Sequence, residues 1–169
     1  MLKKIVIIIN LIFVGIAITV VIYSFFTKST YTVSTSKTFA YPQSRVWKVL
    51  TDKRGQITWR KDIIKQSTDT NEITKVWAEY FTEKDSVDYT LLSYKKETNY
   101  AFQMHNRKFE LISEFSYQLE PIDSTHTKIN LTENTKSYNR WASVFFLFNK
   151  NDLNLHVEMN RLEDGLRHQ

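Results

Sequence analysis

The feature that most constrains this chain is an apolar run near its amino terminus, from Ile5 to Phe26. No charged side chain occurs between Lys4 and Lys28. As a helix, the run would rise about 33 Å, which exceeds the hydrocarbon thickness of a bilayer, about 30 Å. A helix also satisfies its own backbone hydrogen bonds where water is absent. The run therefore predicts a transmembrane helix that anchors the rest of the chain.

The alternative for this segment is a secretory signal that is cleaved after export. The apolar part of such a signal is usually about 7 to 15 residues long and ends in a site with small side chains. Here the apolar part is longer, and the residues from Tyr23 to Phe26 at its end offer no such site. Because the chain contains no cysteine, attachment as a lipoprotein is also excluded. A retained membrane anchor is the favoured interpretation.

The charges around the span indicate its orientation. Lys3 and Lys4 precede it, whereas Lys28 is the one charge close behind it, so the positive-inside rule favours a cytoplasmic amino terminus and a domain outside the cytoplasm. The absence of cysteine is compatible with either compartment. The net charge of +5 is spread along the chain without an arginine-rich helix, which disfavours nucleic acid as a partner.

About 140 residues follow the anchor, enough for one domain with its own core and too few for a second. The segment Thr27 to Tyr31 is too short for a flexible tether, so we expect the domain to lie close to the bilayer. The first expected elements are a strand from Tyr31 to Tyr41, a helix from Pro42 to Asp52, and a second helical stretch from Gln56 to Ile64.

Beyond Lys65, apolar and polar residues alternate, as in antiparallel strands that bury one face. Each apolar face is rich in large aromatic side chains. A long helix should close the chain, with apolar residues recurring at spacings of three and four so that they pack on those faces. The strands are expected near Glu72–Phe81, Val87–Tyr94, Tyr100–His105, Phe109–Leu119 and Lys128–Thr135, the helix from about Asn139 to Arg167, and its apolar stripe at Trp141, Phe145, Phe148, Leu155, Met159, Leu162 and Leu166.

The order of these elements, together with the segment from Phe39 to Trp59, resembles the START-like superfamily, also called SRPBCC, which includes polyketide cyclase and dehydrase-like proteins. In FAYPQSRVWKVLTDKRGQITW, a strand ends before proline, a helix carries Val46-Trp47 and ends in Thr51-Asp52, and Trp59 follows in the second helix. The resemblance covers nearly all of residues 31–169. Its motifs consist of packing residues and identify no chemistry.

The resemblance implies the α+β helix-grip fold, in which a curved antiparallel sheet wraps around a long carboxy-terminal helix. In relatives, the cavity between them holds lipids, sterols, polyketides, quinones or other hydrophobic molecules. The expected organisation is an anchor over residues 1–27, with the span at about 5–26, and a START-like domain over residues 28–169. The bulky aromatics of the sheet leave an alternative open, in which they fill the cavity completely.

Residues on the expected concave face are the candidates for ligand binding. A tyrosine suits this role because its ring packs against apolar groups while its hydroxyl remains available to a ligand. Ordinary core packing is the simpler interpretation for each tyrosine. The full set of cavity candidates is Trp77, Glu79, Tyr89, Tyr100, Phe102, Leu111, Phe115, Tyr117 and Asp152.

Three acidic residues occupy faces that are otherwise expected to be interior. A carboxylate in an apolar cavity would have a raised pKa and would serve as an acid, a base or a polar contact for a ligand. The favoured interpretation is that Glu79 and Glu133 lie at strand ends in solvent, and that Asp152 lies at an exposed cavity mouth. No catalytic residue is assigned.

Other chemistries find little support. The four histidines show no paired metal-binding spacing, so no metal site is expected, and no nucleophile elbow, phosphate-binding glycine loop or dinucleotide motif is present, so no cofactor is expected. The favoured function is a membrane-anchored domain that binds a hydrophobic small molecule or lipid. Two further functions stay open: a cyclase-like or hydrolase-like enzyme that uses Glu79 or Asp152 as a base, and a non-catalytic module with a filled pocket whose segment Trp141–Phe148 contacts a membrane protein.

Overall fold

The predicted transmembrane segment forms one continuous helix, α1 (Leu2–Phe26), in the computed structural model, which describes residues 2–26, 30–69, 73–138 and 153–168. None of the side chains in its most apolar part, Ile5–Ile22, is buried against the rest of the chain. The polar side chains bond within the helix: the Asn10 amide donates to the Val6 carbonyl at 3.1 Å, and the Thr19 hydroxyl donates to the Gly15 carbonyl at 2.8 Å. By length and composition, α1 is able to cross a membrane.

A single antiparallel sheet follows, and its seven strands within the described residues take the order β1-β7-β6-β5-β4-β3-β2. Two short helices lie between β1 and β2, and the described chain ends in a helix that packs on α2 and on strands β1 and β7. The elements are β1 (Thr30–Phe39), α2 (Gln43–Thr51), α3 (Lys53–Gln56), β2 (Lys65–Thr68), β3 (Val76–Tyr80), β4 (Ser86–Lys95), β5 (Asn99–Asn106), β6 (Leu111–Pro121), β7 (Thr127–Ser137) and α4 (Leu153–His168).

The alternating pattern of the strands is confirmed over most of β3 to β7, where every second residue faces the interior, except that β4 is exposed after Leu91. On this concave face Trp77 of β3 pairs with Tyr89 of β4, and Phe102 of β5 lies diagonally across from Tyr89, opposite Leu91. A register shift between Leu91 and Ser93 of β4 interrupts the ladder, and such bulges bend a strand and increase its twist. The sheet therefore curves around α4, as the helix-grip fold requires.

Two predicted elements are wrong in their local conformation. The helical stretch expected from Gln56 to Ile64 is instead the four-residue helix α3 and a turn, after which the chain extends into β2, a strand that was not predicted. The expected strand start at Phe109 is also wrong, because Glu110 adopts a positive φ of 51° in the turn before β6. Phe109 lies in that turn with 53% of its surface exposed.

The carboxy-terminal part of the predicted long helix is confirmed. α4 buries the apolar residues Leu155, Met159, Leu162 and Leu166 against the sheet and α2, at the spacings of three and four that were expected. Residues 139–152 lie outside the described part of the chain, and with them Trp141, Phe145, Phe148 and Asp152.

A close approach between α4 and α2 occurs at Gly165. A Cβ atom at this position would lie 2.6 Å from Cγ1 of Val49 and 2.7 Å from Cζ2 of Trp59. Such distances are shorter than carbon atoms tolerate, so only glycine permits this packing. The intrinsic preference of helices for alanine over glycine, about 1 kcal/mol, is therefore outweighed here by contact with α2 and Trp59.

We predict that Gly165→Ala lowers the free energy of unfolding by about 1 to 3 kcal/mol, because Val49 and Trp59 must move to admit the methyl group. Urea unfolding of the detergent-solubilised full chain measures this change. Asn160→Ala, at an exposed position on the same helix, is the matched control and should be neutral or slightly stabilising. Equal stability of Gly165→Ala and the natural chain would contradict the close packing described.

Candidate ligand-binding site

Aromatic rings fill most of the space between the sheet and α4. The ring of Trp77 stacks on that of Tyr89 with centroids 5.0 Å apart and planes 2° from parallel. Phe102 meets both rings edge-on, at 5.5 Å and 5.8 Å, and stacks on Phe115 at 5.3 Å. Offset and edge-to-face contacts of this kind each contribute about 0.5 to 1.5 kcal/mol beyond simple burial. The interior is consequently packed with rings rather than open.

A small cavity remains beside these rings, with a volume of about 30 Å³, which is room for little more than one water molecule. Its wall combines aromatic, aliphatic and charged side chains from α2, α3, β3, β4, β5, β6 and α4. We call it the inner cavity. The lining residues are Val49, Leu50, Lys53, Gln56, Trp59, Arg60, Trp77, Glu79, Tyr89, Phe102, Tyr117, Glu158, Arg161 and Leu162.

Glu79 lies in this wall and not in solvent, so the favoured interpretation for this residue is wrong. Its residue surface is only 2% exposed. Arg60 Nη1 donates to Glu79 Oε2 at 2.9 Å, and the Tyr89 hydroxyl donates to the same oxygen at 3.3 Å. Burial of a carboxylate is costly unless it is paired, and the turn after α3 places Arg60 where it provides that pairing.

The ion pair extends outward through a second arginine. Arg60 also donates to Asp62, with 2.6 Å between Nη2 and Oδ2, and Arg161 of α4 donates to the same Asp62 oxygen at 2.9 Å. Arg161 pairs in addition with Glu158, one turn earlier on α4. The Tyr117 hydroxyl donates to Glu158 at 3.2 Å. The network therefore ties the loop after α3 and strands β3, β4 and β6 to α4.

The two tyrosines of this network remain protonated donors at neutral pH. Burial raises the pKa of Tyr89 well above its ordinary value, and the nearby carboxylates of Glu79 and Glu158 act in the same direction. Burial likewise raises the pKa of Tyr117, and Glu158 adds to the effect. Both hydroxyls are thus fixed as hydrogen-bond donors to carboxylates.

Lys53 is the unusual cation of the inner cavity. Only 6% of its surface is exposed, and in the described part of the chain no carboxylate oxygen lies within 4.0 Å of its ammonium. Instead, Nζ lies over the rings of Trp77, Tyr100 and Phe102, between 5.2 and 5.3 Å from each centroid. Burial lowers the pKa of Lys53 to about 8, although Glu79 and Glu158 act to raise it.

A second buried carboxylate, Glu133 of β7, also contradicts the favoured interpretation of solvent exposure. Its residue surface is 1% exposed, and the Thr135 hydroxyl donates to its Oε1 at 2.7 Å. The hydroxyl groups of Thr135 and Ser113 lie 2.5 Å apart. Hydroxyl groups of the sheet therefore solvate this carboxylate at the end of the sheet where β1 begins.

A larger space lies next to the inner cavity, between α4 and the hairpins β3-β4 and β5-β6. This space, which we call the outer cleft, has a volume of about 360 Å³ and opens to solvent. Tyr89, Glu158 and Arg161 belong to the walls of both spaces, so this polar trio separates them. The remaining walls of the outer cleft are formed by Phe81, Asp85, Ser86, Val87, Met104, Asn106, Lys108, Phe109, Phe115, Asn154 and Val157.

The structure places the predicted site residues in different surroundings. Tyr100 is fully buried core, and Leu111, at the start of β6, is half-buried; neither lines the two spaces. Phe115 lines the outer cleft, Tyr89 lines both spaces, and Asp152 lies outside the described residues. The predicted residues that line the inner cavity are Trp77, Glu79, Tyr89, Phe102 and Tyr117.

Four charged residues of the inner cavity were not predicted from the sequence: Lys53, Arg60, Glu158 and Arg161. Glu158 and Arg161 are three residues apart on α4, beside its buried stripe, and this spacing is the one local signal that they pair. No sequence pattern predicts the position of Arg60, because that position depends on a turn. In the part of the chain that the structure describes, no group of three or more acidic or histidine side chains is arranged to hold a metal ion.

Comparison with solved structures identifies the fold. Norcoclaurine synthase from Thalictrum flavum, solved in complex with dopamine and hydroxybenzaldehyde, is 9% identical, with a TM-score of 0.65 over 85% of this chain and 90% of that one. For the Zhui aromatase/cyclase of a Streptomyces species, the identity is 15% and the TM-score 0.63, over 83% and 96% of the two chains. The protein Ara h 8.0201 gives 11% and 0.63, over 82% and 97%.

These neighbours are all START-type proteins, and the resemblance predicted from Phe39 to Trp59 is therefore confirmed for the fold. Neither the family models nor the curated sequences that were compared with the chain give a match. The chain has the START-like helix-grip fold, with an additional long apolar helix at its amino terminus.

We predict that Arg60→Met destabilises the full chain by about 3 to 5 kcal/mol, because it leaves the buried Glu79 carboxylate without its guanidinium. The double variant Arg60→Met with Glu79→Gln should recover at least half of that loss, since the uncompensated charge is gone. Urea unfolding in detergent measures both. Lys61→Met, at the exposed neighbouring position, is the control. Equal loss in the single and double variants would show that the ion pair is not what Arg60 contributes.

Lys53 should make stability depend on alkaline pH. Unfolding restores its pKa from about 8 to the ordinary 10.5, so between these values the unfolded chain binds more protons and stability rises with pH. Above about pH 10 the trend reverses. In the unfolded chain Tyr89 and Tyr117 lose their protons near pH 10, whereas in the folded chain burial raises their pKa and they keep them.

We therefore expect Lys53→Met to be more stable than the natural chain at pH 7, by up to about 3 kcal/mol, with the difference shrinking towards pH 10. The variant removes a desolvated charge while keeping a side chain of similar volume. Urea unfolding at several pH values measures the difference, and Lys48→Met, on the exposed side of α2, should give none. A constant difference in stability across this pH range would show that the charge of Lys53 is not its cause.

Proposed function

We propose that this protein is a membrane-anchored START-like domain that binds a hydrophobic small molecule in the outer cleft. The observation that carries this proposal is the cleft itself. Its volume of about 360 Å³ falls within the range of about 300 to 1,000 Å³ that is usual for small-molecule sites. Aromatic rings reduce the inner cavity to about 30 Å³, but they leave the outer cleft open.

The walls of the outer cleft define the class of ligand. Phe81, Val87, Met104, Phe115 and Val157 offer an apolar surface, and burial of a ligand against them is worth about 25 cal/mol for each Å² removed from water. At the inner end, the polar trio Tyr89, Glu158 and Arg161 provides the polar contacts. The ligand is therefore a compact apolar molecule, or one acyl chain, with a polar group at one end.

Similarity to known structures supports a small ligand of this kind. The norcoclaurine synthase structure holds dopamine and hydroxybenzaldehyde, two small aromatic molecules, in a protein of the same fold. For this chain we infer from the similarity only the class of ligand, which is a small molecule with an apolar body. A fold hosts many functions, so the identity of the ligand depends on the cleft of this chain.

The anchor gives the cleft a location. In this proposal, residues 1–27 form the anchor, residues 28–169 form the binding domain, and the bilayer surrounds Ile5–Phe26. The side chains of Ile5–Ile22, none of them buried within the chain, support this assignment. The lysines before the span favour a cytoplasmic amino terminus and an extracytoplasmic domain. The ligand would then enter from the bilayer or from the adjacent solvent.

An enzymatic function is the second candidate, and Lys53 is the observation that favours it. An amine whose pKa is lowered to about 8 exchanges protons near neutral pH, which suits a general acid or base in cyclase-like chemistry. Glu79 is a poorer candidate for the base than Lys53, because its Oε2 already accepts hydrogen bonds from Arg60 and Tyr89. Asp152, the second carboxylate considered as a base, lies outside the described residues, as does the segment Trp141–Phe148 that would contact a membrane protein.

The binding proposal predicts that Val157→Trp empties the protein of its ligand, because the indole would occupy the outer cleft. Native mass spectrometry and solvent extraction of the detergent-solubilised full chain should show a co-purifying apolar molecule in the natural protein, with at least about a tenfold lower occupancy in the variant.

Asn160→Trp is the matched control, since position 160 is exposed on α4 and lies outside the cleft wall. This variant should keep the ligand. Absence of any apolar molecule from the natural protein, or equal occupancy in both variants, would overturn binding in the outer cleft. Turnover of the extracted molecule by the natural chain but not by Lys53→Met would instead establish the enzyme.

A further inference from the structure

The register of the sheet brings one set of turns to the end at which β1 begins. Thr30 of β1 pairs with Lys136 of β7, which also pairs with Ile112 of β6. Ile112 pairs with His105 of β5, which pairs with Asp88 near the start of β4. The β3-β4 and β5-β6 turns therefore lie at the same end of the sheet as Thr30.

The chain holds this end near α1. Only residues 27–29 separate the last residue of α1, Phe26, from the first residue of β1, Thr30. Whatever their conformation, four peptide steps span at most about 14 Å. If α1 crosses the bilayer, the end of the sheet that carries Thr30 cannot lie farther than this from the point where the helix leaves it.

The outer cleft opens at this same end. Its wall includes Asp85 and Ser86 from the β3-β4 hairpin, and Asn106, Lys108 and Phe109 from the β5-β6 hairpin. The mouth of the proposed ligand site and the membrane attachment of the chain therefore occupy one end of the domain, and the β6-β7 turn at Ile122 occupies the opposite end.

Two large aromatic side chains are exposed at this end of the domain, one in the cleft wall and one on the segment beside it. Phe109 is 53% exposed and Tyr138 is 58% exposed, and the Tyr138 amide donates to the Glu110 carbonyl at 3.0 Å, which places the two side chains on neighbouring segments. A lysine lies over each ring: Lys108 Nζ is 5.7 Å from the Phe109 centroid, and Lys136 Nζ is 4.8 Å from that of Tyr138. We call these four residues the rim.

The pairing of an aromatic ring with a lysine is the composition that suits the boundary between hydrocarbon and water. The described charged residues of the β3-β4 and β5-β6 turns, together with Asp88 and Lys136 beside them, carry no net charge. The basic ones are Lys84, Arg107, Lys108 and Lys136, and the acidic ones are Glu83, Asp85, Asp88 and Glu110. Two of these basic residues are moreover paired, Arg107 with Asp88 at 2.7 Å and Lys108 with Asp85 at 3.0 Å. Contact with lipid would therefore depend on the rings and not on net charge.

We propose that the rim docks on the lipid surface, with Phe109 and Tyr138 entering the headgroup region, so that the outer cleft opens directly onto the bilayer. This inference rests on the proposed membrane anchor and ligand site, and it adds the route of the ligand, which passes from lipid to cleft without crossing bulk water. The short connection between α1 and β1 favours lipid over another protein as the occupant, since it keeps the rim beside the bilayer.

Site-specific fluorescence tests the docking. Because the chain has no cysteine, single substitutions Lys136→Cys at the rim and Ser124→Cys at the opposite end accept one environment-sensitive label each. The labelled full chains are reconstituted in phosphatidylcholine vesicles that contain spin-labelled lipid. Docking predicts quenching of the label at position 136 but not of that at position 124. Equal quenching at both positions would overturn it.

Variants of the rim then test the rings themselves. In the chain labelled at position 136, Phe109→Ser should lower the ratio of docked to undocked domain about tenfold, and Tyr138→Ser should act similarly, because each removes an apolar ring from lipid. Ile122→Ser is the matched control: Ile122 is 57% exposed at the far end of the sheet, and its loss should change nothing. An equal effect of Ile122→Ser, or docking confined to vesicles with anionic lipid, would contradict ring insertion.

Ligand occupancy, measured by mass spectrometry on the same samples, separates the two proposals. Loss of quenching with the ligand retained would overturn docking and leave the binding function in place. Quenching at position 136 in a protein that carries no apolar molecule would support the docked rim and overturn the binding function. Quenching that disappears when the protein is diluted within the vesicles would assign the rim to a second copy of the chain and overturn lipid docking.

Discussion

The stacked contact between Trp77 and Tyr89, closed edge-on by Phe102, determines where this domain has space. In a helix-grip fold the sheet and the last helix leave room between them, and small side chains would keep that room open. Here the rings occupy it, because each strand from β3 to β5 contributes a large aromatic residue at adjoining register positions. Since protein interiors pack to crystal-like density, the remaining volume moves outward to the hairpin end.

The charged groups beside the rings follow from the same packing. A carboxylate at Glu79 is tolerated among aromatic residues only because Arg60 and Tyr89 reach it, and the arginine is in turn held by Asp62. Lys53 lacks such a partner in the described chain and has three ring faces instead. Ring faces compensate a buried ammonium less completely than a carboxylate does. The stability of the fold therefore does not account for a lysine at position 53, which agrees with the second candidate function proposed above.

The sequence predicted the parts of this structure that depend on local periodicity. Alternation identified the inward faces of the strands, and the spacing of Leu155, Met159 and Leu162 identified the buried side of α4, because these patterns arise within one element. Glu79 was wrongly predicted to lie in solvent, although the same alternation placed it on the inward face. Its partner Arg60 follows a turn that was predicted as a helix, so the pairing that permits burial was not expected. Partners brought together by a turn have no periodic signal.

The position of the outer cleft relative to α1 follows from two facts, neither of which is sufficient alone. Strand register alone gives the sheet two equivalent ends, and a long apolar helix alone is compatible with any arrangement of the domain behind it. The three residues between Phe26 and Thr30 remove that freedom, because they are too few to carry the chain around the sheet, whose strands extend over about 35 Å at roughly 3.3 Å per residue. The end that carries Phe109 and the cleft mouth is therefore the one the chain presents to the membrane that α1 would cross.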